Sequence, residues 1–142
     1  MARVVCILED DERRRDAMKL ALAAADIDAH VATFATASEI MNFINSNRHV
    51  IALLSLDHDL VPVQNTDGGN VDSGTGRDVT TFLLSYKPFA PVIIHSSNYM
   101  AAIGMEACLQ EGGWSVCRLA PYGDLAWVTE IWILSAKDML AE

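Results

Sequence analysis

The sequence predicts an α/β protein with a doubly wound, five-stranded parallel sheet in strand order 2-1-3-4-5. Short apolar runs alternate along the chain with segments of helical periodicity, five of each. This alternation favours a parallel sheet that is covered by helices on both faces and joined by right-handed crossovers. Four of the five apolar runs also end in polar side chains, as strands do at the ligand-binding edge of such sheets. We expect a single domain over residues 1–142.

Each element has its own local signal. The expected strands are residues 3–8, 29–34, 50–56, 91–94 and 114–119. The first helix is expected over residues 13–25 and the fourth over residues 100–111. Thr36 with Glu39 and Thr75 with Asp78 have capping-box spacing, which predicts the starts of the second and third helices. The last helix is predicted to begin with Asp124 as its cap and to bury Trp127, Ile131 and Leu134.

Composition narrows the class of protein and its partners. No apolar run reaches the roughly 18 residues that span a membrane, and no signal peptide is expected at Met1. The three cysteines lack metal-site spacing and read as the thiols of a cytoplasmic protein. The net charge of −9 opposes non-specific binding to nucleic acids or anionic membranes. A small phosphorylated ligand or a single RNA end remains a compatible partner.

The strongest functional signal follows the third predicted strand. Asp57, His58 and Asp59 end that strand and lead into loop 61–76, which holds four of the eight glycines. A single Asp at such a place often only caps a turn. Here other strands also end in polar clusters, so we predict a shared site where the carboxyl ends meet. Those clusters are Glu9-Asp10-Asp11, His95-Ser96-Ser97-Asn98 and Arg118.

The residue types predict how this site would act. Carboxylates from two strand ends suit Mg²⁺ or Mn²⁺ as cofactor. The expected metal ligands are Asp10, Asp11, Asp57 and Asp59, and the choice of acid pair among Glu9, Asp10 and Asp11 is open. His58 and His95 are candidates for general acid and base beside Asp57. The expected phosphate-binding residues are Ser96, Ser97, Asn98 and Arg118. The alternatives are a purely structural His95 and a zinc site built from both histidines and an acid.

These residues resemble the response-regulator receiver fold, which is flavodoxin-like. Receivers carry an acid pair after the first strand, a phosphoacceptor Asp after the third and Ser or Thr after the fourth. Asp10, Asp11, Asp57 and Ser96 match that pattern. The departure is Ala120-Pro121, because receivers have Lys-Pro there. The missing Lys argues against ordinary receiver chemistry.

A narrower group matches better: the sequence is similar to the cyclic-phosphate processing receiver-like domain. The matching motifs are Asp10-Asp11-Glu12-Arg13, Asp57-His58-Asp59-Leu60, Thr75-Gly76-Arg77-Asp78 and His95-Ser96-Ser97-Asn98. The resemblance implies a metal-assisted phosphoesterase that acts on cyclic phosphates of nucleotides or RNA ends, and we expect an enzyme on that ground. The alternative is a non-enzymatic receiver-like signalling module that is phosphorylated or ligand-bound at Asp57. Loop 61–76, with polar residues such as Asn65 and Asp67, is interpreted as a lid or as an insertion without a role.

Overall fold

The computed structural model describes residues 3–64 and 66–141, so Met1 and Asn65 lie outside the described residues. In chain order the strands are β1 (Val4–Leu8), β2 (His30–Phe34), β3 (Ile51–Leu56), β4 (Val63–Gln64), β5 (Asn70–Val71), β6 (Val92–His95) and β7 (Val116–Leu119). The centre of the fold is a five-stranded parallel sheet in the order β2-β1-β3-β6-β7. The predicted five-stranded parallel α/β sheet is therefore confirmed. Strands β4 and β5 form a separate short hairpin that follows β3.

In the described part of the chain, residues 3–64 and 66–141, five α-helices cover the sheet. They are α1 (Glu12–Ala24), α2 (Ala37–Asn47), α3 (Gly76–Leu83), α4 (Tyr99–Glu111) and α5 (Ile133–Leu140). A 3₁₀ turn, Arg48–Val50, leads into β3. Thr75 and Asp78 form the predicted capping box at the start of α3, where each side chain binds the other residue's backbone N–H. No helix within residues 3–64 and 66–141 is long and apolar enough to cross a membrane.

The two faces of the sheet carry separate apolar cores, as alternate side chains along each strand require. Cys6, Leu54 and Ile94 point towards α2, α3 and α4, whereas Val5, Leu53 and Ile93 point towards α1 and α5. The three inner strands are buried along almost their whole length. The parallel crossovers leave all five carboxyl ends at one edge of the sheet, where the loops meet.

The predicted loop after β3 contains a small antiparallel hairpin of β4 (Val63–Gln64) and β5 (Asn70–Val71). Its base is attached to the domain at Val61 and Ser73. The Ser73 hydroxyl donates to the Val61 carbonyl at 2.6 Å, and the Ser73 carbonyl accepts the Ala37 amide at 2.8 Å. The hairpin itself is exposed, so the loop is anchored at its base and open at its tip.

The last helix differs from its prediction. Near its start, after helical residues 126 and 127, it contains a π-helical turn, Val128–Trp132, in which the Ile133 amide donates to the Val128 carbonyl five residues earlier. The wider turn shifts the helical phase. Trp127 and Trp132 are fully buried, while Leu134, expected inside, is 57% exposed. Asp124 does not serve as the expected cap, because its carboxylate binds the Arg13 guanidinium.

Candidate active site

The loop edge of the sheet brings Glu9 and Asp57 side by side. Strand hydrogen bonding continues for one residue beyond the strand ends: the Glu9 amide donates to Phe34 and the Asp57 amide to Leu8. Each acid is therefore held by backbone contacts to the neighbouring strand rather than by a flexible loop. The placement is a direct consequence of where the apolar runs of β1 and β3 stop.

Glu9, Asp57 and His95 form what we call the acidic pocket. One ligand atom from each residue lies within 4.8 Å of the others. Glu9 and His95 are fully buried and Asp57 is 6% exposed. His95 is the last residue of β6 and its Nε2 lies 3.2 Å from Glu9 Oε1. The pocket thus places two carboxylates and one imidazole in the protein interior, directly below the loops.

The two carboxyl groups of the pocket have opposite pKa shifts. Burial by itself would raise the pKa of Glu9, but the hydrogen bond with His95, together with that from the Asp11 backbone N–H, outweighs it and lowers that pKa to about 2. Burial raises the pKa of Asp57 to about 6, and the negative charge of Glu9 adds to the rise. The surroundings therefore favour the ionised form of Glu9, whereas they disfavour the ionised form of Asp57.

Asp10 lies at the margin of the pocket and connects it to the loop. Its Oδ2 accepts the Val61 amide at 2.7 Å. Burial, together with the hydrogen bond and charge of Glu9, raises the pKa of Asp10, although the Val61 amide acts in the opposite direction. Asp10 is therefore close enough to contribute to the charge of the pocket while it also holds the base of the loop.

Asp11 has a different position from its two neighbours. It is the N-cap of α1, and its Oδ1 accepts the amides of Arg13 and Arg14 at 2.9 and 3.2 Å. Its side chain is exposed and directed at the helix end. Of the three acids left open by the sequence, the geometry favours Glu9 and Asp10 as the pair nearest Asp57. A metal-binding role for Asp11 stays a prediction.

His58 and Asp59 form a second imidazole–carboxylate pair at the rim. His58 Nδ1 lies 2.7 Å from Asp59 Oδ1, and the side-chain amide of Asn98 donates from Nδ2 to the same carboxylate at 3.2 Å. The hydrogen bond with His58 and that from Asn98 lower the pKa of Asp59. Only 18% of the His58 side chain is exposed. The expected metal ligand Asp59 is thus engaged by His58 and Asn98, and its role as a ligand stays a prediction.

The expected phosphate-binding residues occupy several places. Ser96 is buried, and its hydroxyl oxygen accepts a hydrogen bond from the backbone N–H of Asn98 at 3.1 Å. Asn98 caps α4 by accepting the Ala101 amide. Ser97 is exposed. Arg118 is directed at α4, where it pairs with Glu106 at 3.2 Å and lies over the Tyr99 ring. Phosphate binding by these residues stays a prediction, and Arg118 would have to leave Glu106 to take part.

The chemistry of the donor set fits a divalent cation. Glu9 and Asp57 offer carboxylate oxygens from two rigid strand ends, the ligand type that Mg²⁺ and Mn²⁺ prefer. Burial raises the pKa of Asp57 and the charge of Glu9 adds to that rise, and a cation between the two carboxylates would offset the charge of Glu9. Asp57 Oδ1 accepts the His58 backbone N–H at 2.7 Å, which fixes the orientation of this carboxylate.

Sequence reasoning missed two residues that support the pocket, Ser55 and Trp132, and the contact that Trp127 makes with His95. Ser55 Oγ lies 2.7 Å from His95 Nδ1, and Trp132 Nε1 donates to Ser55 Oγ at 2.9 Å. The Trp127 ring stacks on His95 with centroids 5.7 Å apart. A signal for Ser55 was present, because it is one polar residue inside the apolar strand Leu54-Ser55-Leu56. Trp127 was expected on the buried face of the last helix, but Trp132 was not, since residues five apart do not share a face of an α-helix.

Comparison with known proteins agrees with this architecture. Residues 5–111 match the family model described as the cyclic-phosphate processing receiver domain. No curated protein matches the chain in sequence. Among solved structures, the phosphorylated cyanobacterial phytochrome response regulator RcpA superposes with a TM-score of 0.76 at 17% identity, over 99% of this chain and 96% of that one. A response regulator receiver domain from Rhodospirillum rubrum superposes with a TM-score of 0.67 at 14% identity, over 94% of each chain. These similarities show the receiver fold.

Proposed function

The chain belongs to the cyclic-phosphate processing receiver domain family, and on that premise we propose that it is a receiver-like module whose acidic pocket binds a divalent cation and, with it, a phosphate group at Asp57. The observation that carries the proposal is the juxtaposition of Glu9 and Asp57, two buried carboxylates whose ligand atoms lie within 4.8 Å. Glu9 has His95 and Arg14 beside it, at 3.2 and 3.6 Å, whereas burial and the charge of Glu9 make ionisation of Asp57 costly. A cation is the simplest partner that offsets that cost.

The position of Asp57 supports the phosphate part of the proposal. It follows the third sheet strand at the carboxyl edge, and its Oδ1 is fixed by the His58 amide at 2.7 Å. Ala120 and Pro121 stand where a receiver would carry Lys-Pro. The bound cation would therefore supply most of the positive charge on the phosphate, and we expect any phosphoryl group on Asp57 to depend strictly on the cation.

The test uses small phosphate mimics and donors. Purified protein is mixed with Mg²⁺ or Mn²⁺ and then with beryllofluoride, and binding is followed by calorimetry; acetyl phosphate then tests covalent labelling by intact mass. The proposal expects cation-dependent binding that is lost in Asp57→Asn and kept in Asp11→Asn. Asp11 is the matched control because Asn also caps helices well. Equal binding by Asp57→Asn would contradict the proposal.

A second candidate, a phosphoesterase for cyclic phosphates, has one specific observation in its favour. The pair His58–Asp59, with Asn98 behind it, orients an imidazole at the rim of the pocket, as a general acid or base requires. Turnover of 2′,3′-cyclic nucleotides by the Mn²⁺-loaded protein, reduced ~10²–10⁴-fold in His58→Gln, would favour this candidate. Turnover that is equal in wild type and His58→Gln would reject it.

A further inference from the structure

A continuous line of buried hydrogen bonds runs from the last helix to the acidic pocket. Trp132 Nε1 contacts Ser55 Oγ at 2.9 Å, Ser55 Oγ contacts His95 Nδ1 at 2.7 Å, and His95 Nε2 contacts Glu9 Oε1 at 3.2 Å. All four side chains are fully buried. We call this line the Trp132 relay. It joins four separate elements of the chain, and its first link connects residues 77 positions apart.

The π-helical turn places the relay's first residue. In an α-helix, residues five apart point about 140° away from each other. In the π-turn Val128–Trp132, hydrogen bonds span five residues, so Trp127 and Trp132 come onto nearly the same face. Trp127 then stacks on the His95 ring while Trp132 reaches Ser55. The irregular turn thus places one indole against the His95 ring and the other against the Ser55 hydroxyl that contacts that ring.

The direction of the relay follows from what each group can donate. The indole N–H of Trp132 can only donate, so Ser55 Oγ is the acceptor of that bond. Within residues 3–64 and 66–141, the other partner of the Ser55 hydroxyl is His95 Nδ1. The Ser55 proton therefore has one acceptor within reach, and Nδ1 must be unprotonated to receive it. In the neutral ring the proton then lies on Nε2 and points at Glu9.

We propose that Trp132 and Ser55 are positioning residues that hold His95 as a hydrogen-bond donor to Glu9, and that His95 does not itself bind the cation of the pocket. Coordination through Nε2 would need the proton on Nδ1, which would leave the Ser55 hydroxyl proton without an acceptor among the described residues. Such an orphaned buried donor is costly. His95 therefore holds the Glu9 carboxylate in place, and Glu9 and Asp57 carry the oxygen ligands.

The relay itself is tested in the metal-free protein, so its failure is distinguishable from failure of the proposed function. Two-bond ¹⁵N–¹H spectra of the histidine rings are recorded at about pH 8.5, about two units above the ordinary imidazole pKa. Wild type is expected to show His95 protonated on Nε2. A ring protonated on Nδ1 would overturn the inference without any variant.

The variant Glu9→Gln isolates the relay, because a Gln amide can either donate to His95 Nε2 or accept from it. The tautomer of the His95 ring then depends on Ser55 alone. In Glu9→Gln, we expect the population of the Nε2–H tautomer to exceed that of the Nδ1–H tautomer by roughly three- to tenfold, which is the effect of one net hydrogen bond. Adding Ser55→Ala should lower this ratio, and adding Trp132→Phe should lower it by a smaller factor. A ratio that is unchanged by Ser55→Ala would contradict the relay.

Trp127→Phe is the matched control for Trp132→Phe. The Trp127 Nε1–H has no hydrogen-bond partner among residues 3–64 and 66–141, and the change preserves an aromatic ring against His95. It should leave the tautomer ratio unchanged. In a second arm, Mn²⁺-loaded wild type should show no ¹⁴N coupling from an imidazole in pulsed electron paramagnetic resonance. Strong ¹⁴N coupling that disappears in His95→Gln would overturn the exclusion of His95 from the cation.

Discussion

His95 Nε2 lies 3.2 Å from Glu9 Oε1, and neither side chain has any exposure to solvent. The pair is stacked against Trp127 on one side, and Arg14 lies 3.6 Å from the same Glu9 oxygen. Because the contact lowers the pKa of Glu9 to about 2, its stabilisation is present above the ordinary Glu pKa and is lost as the pH falls towards 2.

The first prediction concerns that pH dependence. Between pH 6 and pH 3, wild type should lose more free energy of unfolding than Glu9→Gln, by about 2 kcal/mol, because only wild type must protonate a stabilised carboxylate. Urea unfolding at each pH measures the difference. Parallel pH profiles for the two proteins would show that Glu9 is not the stabilised anion.

The second prediction has the opposite sign. The pKa of Asp57 is raised to about 6, chiefly by burial, so its ionisation destabilises the native state above that pH, and the penalty vanishes below the unfolded pKa near 4. Without cation, the free energy of unfolding of Asp57→Asn should exceed that of wild type by about 1–3 kcal/mol at pH 7.5. At pH 3.5 the two free energies of unfolding should be equal.

Asp59→Asn is the control for this prediction. Asp59 is exposed and its pKa is lowered by His58, so its replacement should give no gain at pH 7.5. If Asp57→Asn is as stable as wild type at pH 7.5, or less stable, the buried-charge account of Asp57 fails.

The third prediction concerns the close approach of α3 to the pocket. A Cβ on Gly76 would lie 2.0 Å from the Asp57 carbonyl oxygen, a backbone atom. Gly76→Ala should therefore destabilise the fold by about 2–3 kcal/mol and displace Asp57. Gly104→Ala is the control, because its Cβ would meet only the mobile end of Arg77, and Ala is the better helix former. Equal thermal midpoints for the two variants would contradict the prediction.

Local patterns were sufficient for the parts of the fold that depend on neighbouring residues. The capping box of Thr75 and Asp78 and the end of β3 at Leu56 were both predictable. The position of Glu9 in the acidic pocket was not predictable, because the sequence does not show which of the successive acids continues the pairing of β1 and which begins α1. The contact of Trp132 was also not predictable, since its partner Ser55 lies 77 positions away. In addition, the π-turn that orients Trp132 interrupts the helical period.

The fourth prediction concerns the hairpin. Removing residues 64–71 leaves both anchors of the loop base, Val61 and Ser73, in place. If the hairpin is a lid, Mn²⁺ affinity should stay unchanged while beryllofluoride binding weakens about tenfold or more, because the cation ligands lie below the loop. Calorimetry on both ligands separates the two effects. Unchanged affinity for both would indicate an insertion without a role.

The fifth prediction tests the central claim, that Glu9 and Asp57 form a cation site. The measurement is Mn²⁺ titration by calorimetry at pH 7.5 on wild type, Glu9→Gln, Asp57→Asn and Asp11→Asn. The account predicts one site in wild type and in Asp11→Asn, and affinity at least about tenfold weaker in the other two, as loss of a charged ligand requires. No binding by wild type, or binding that survives in both Glu9→Gln and Asp57→Asn, would contradict the claim.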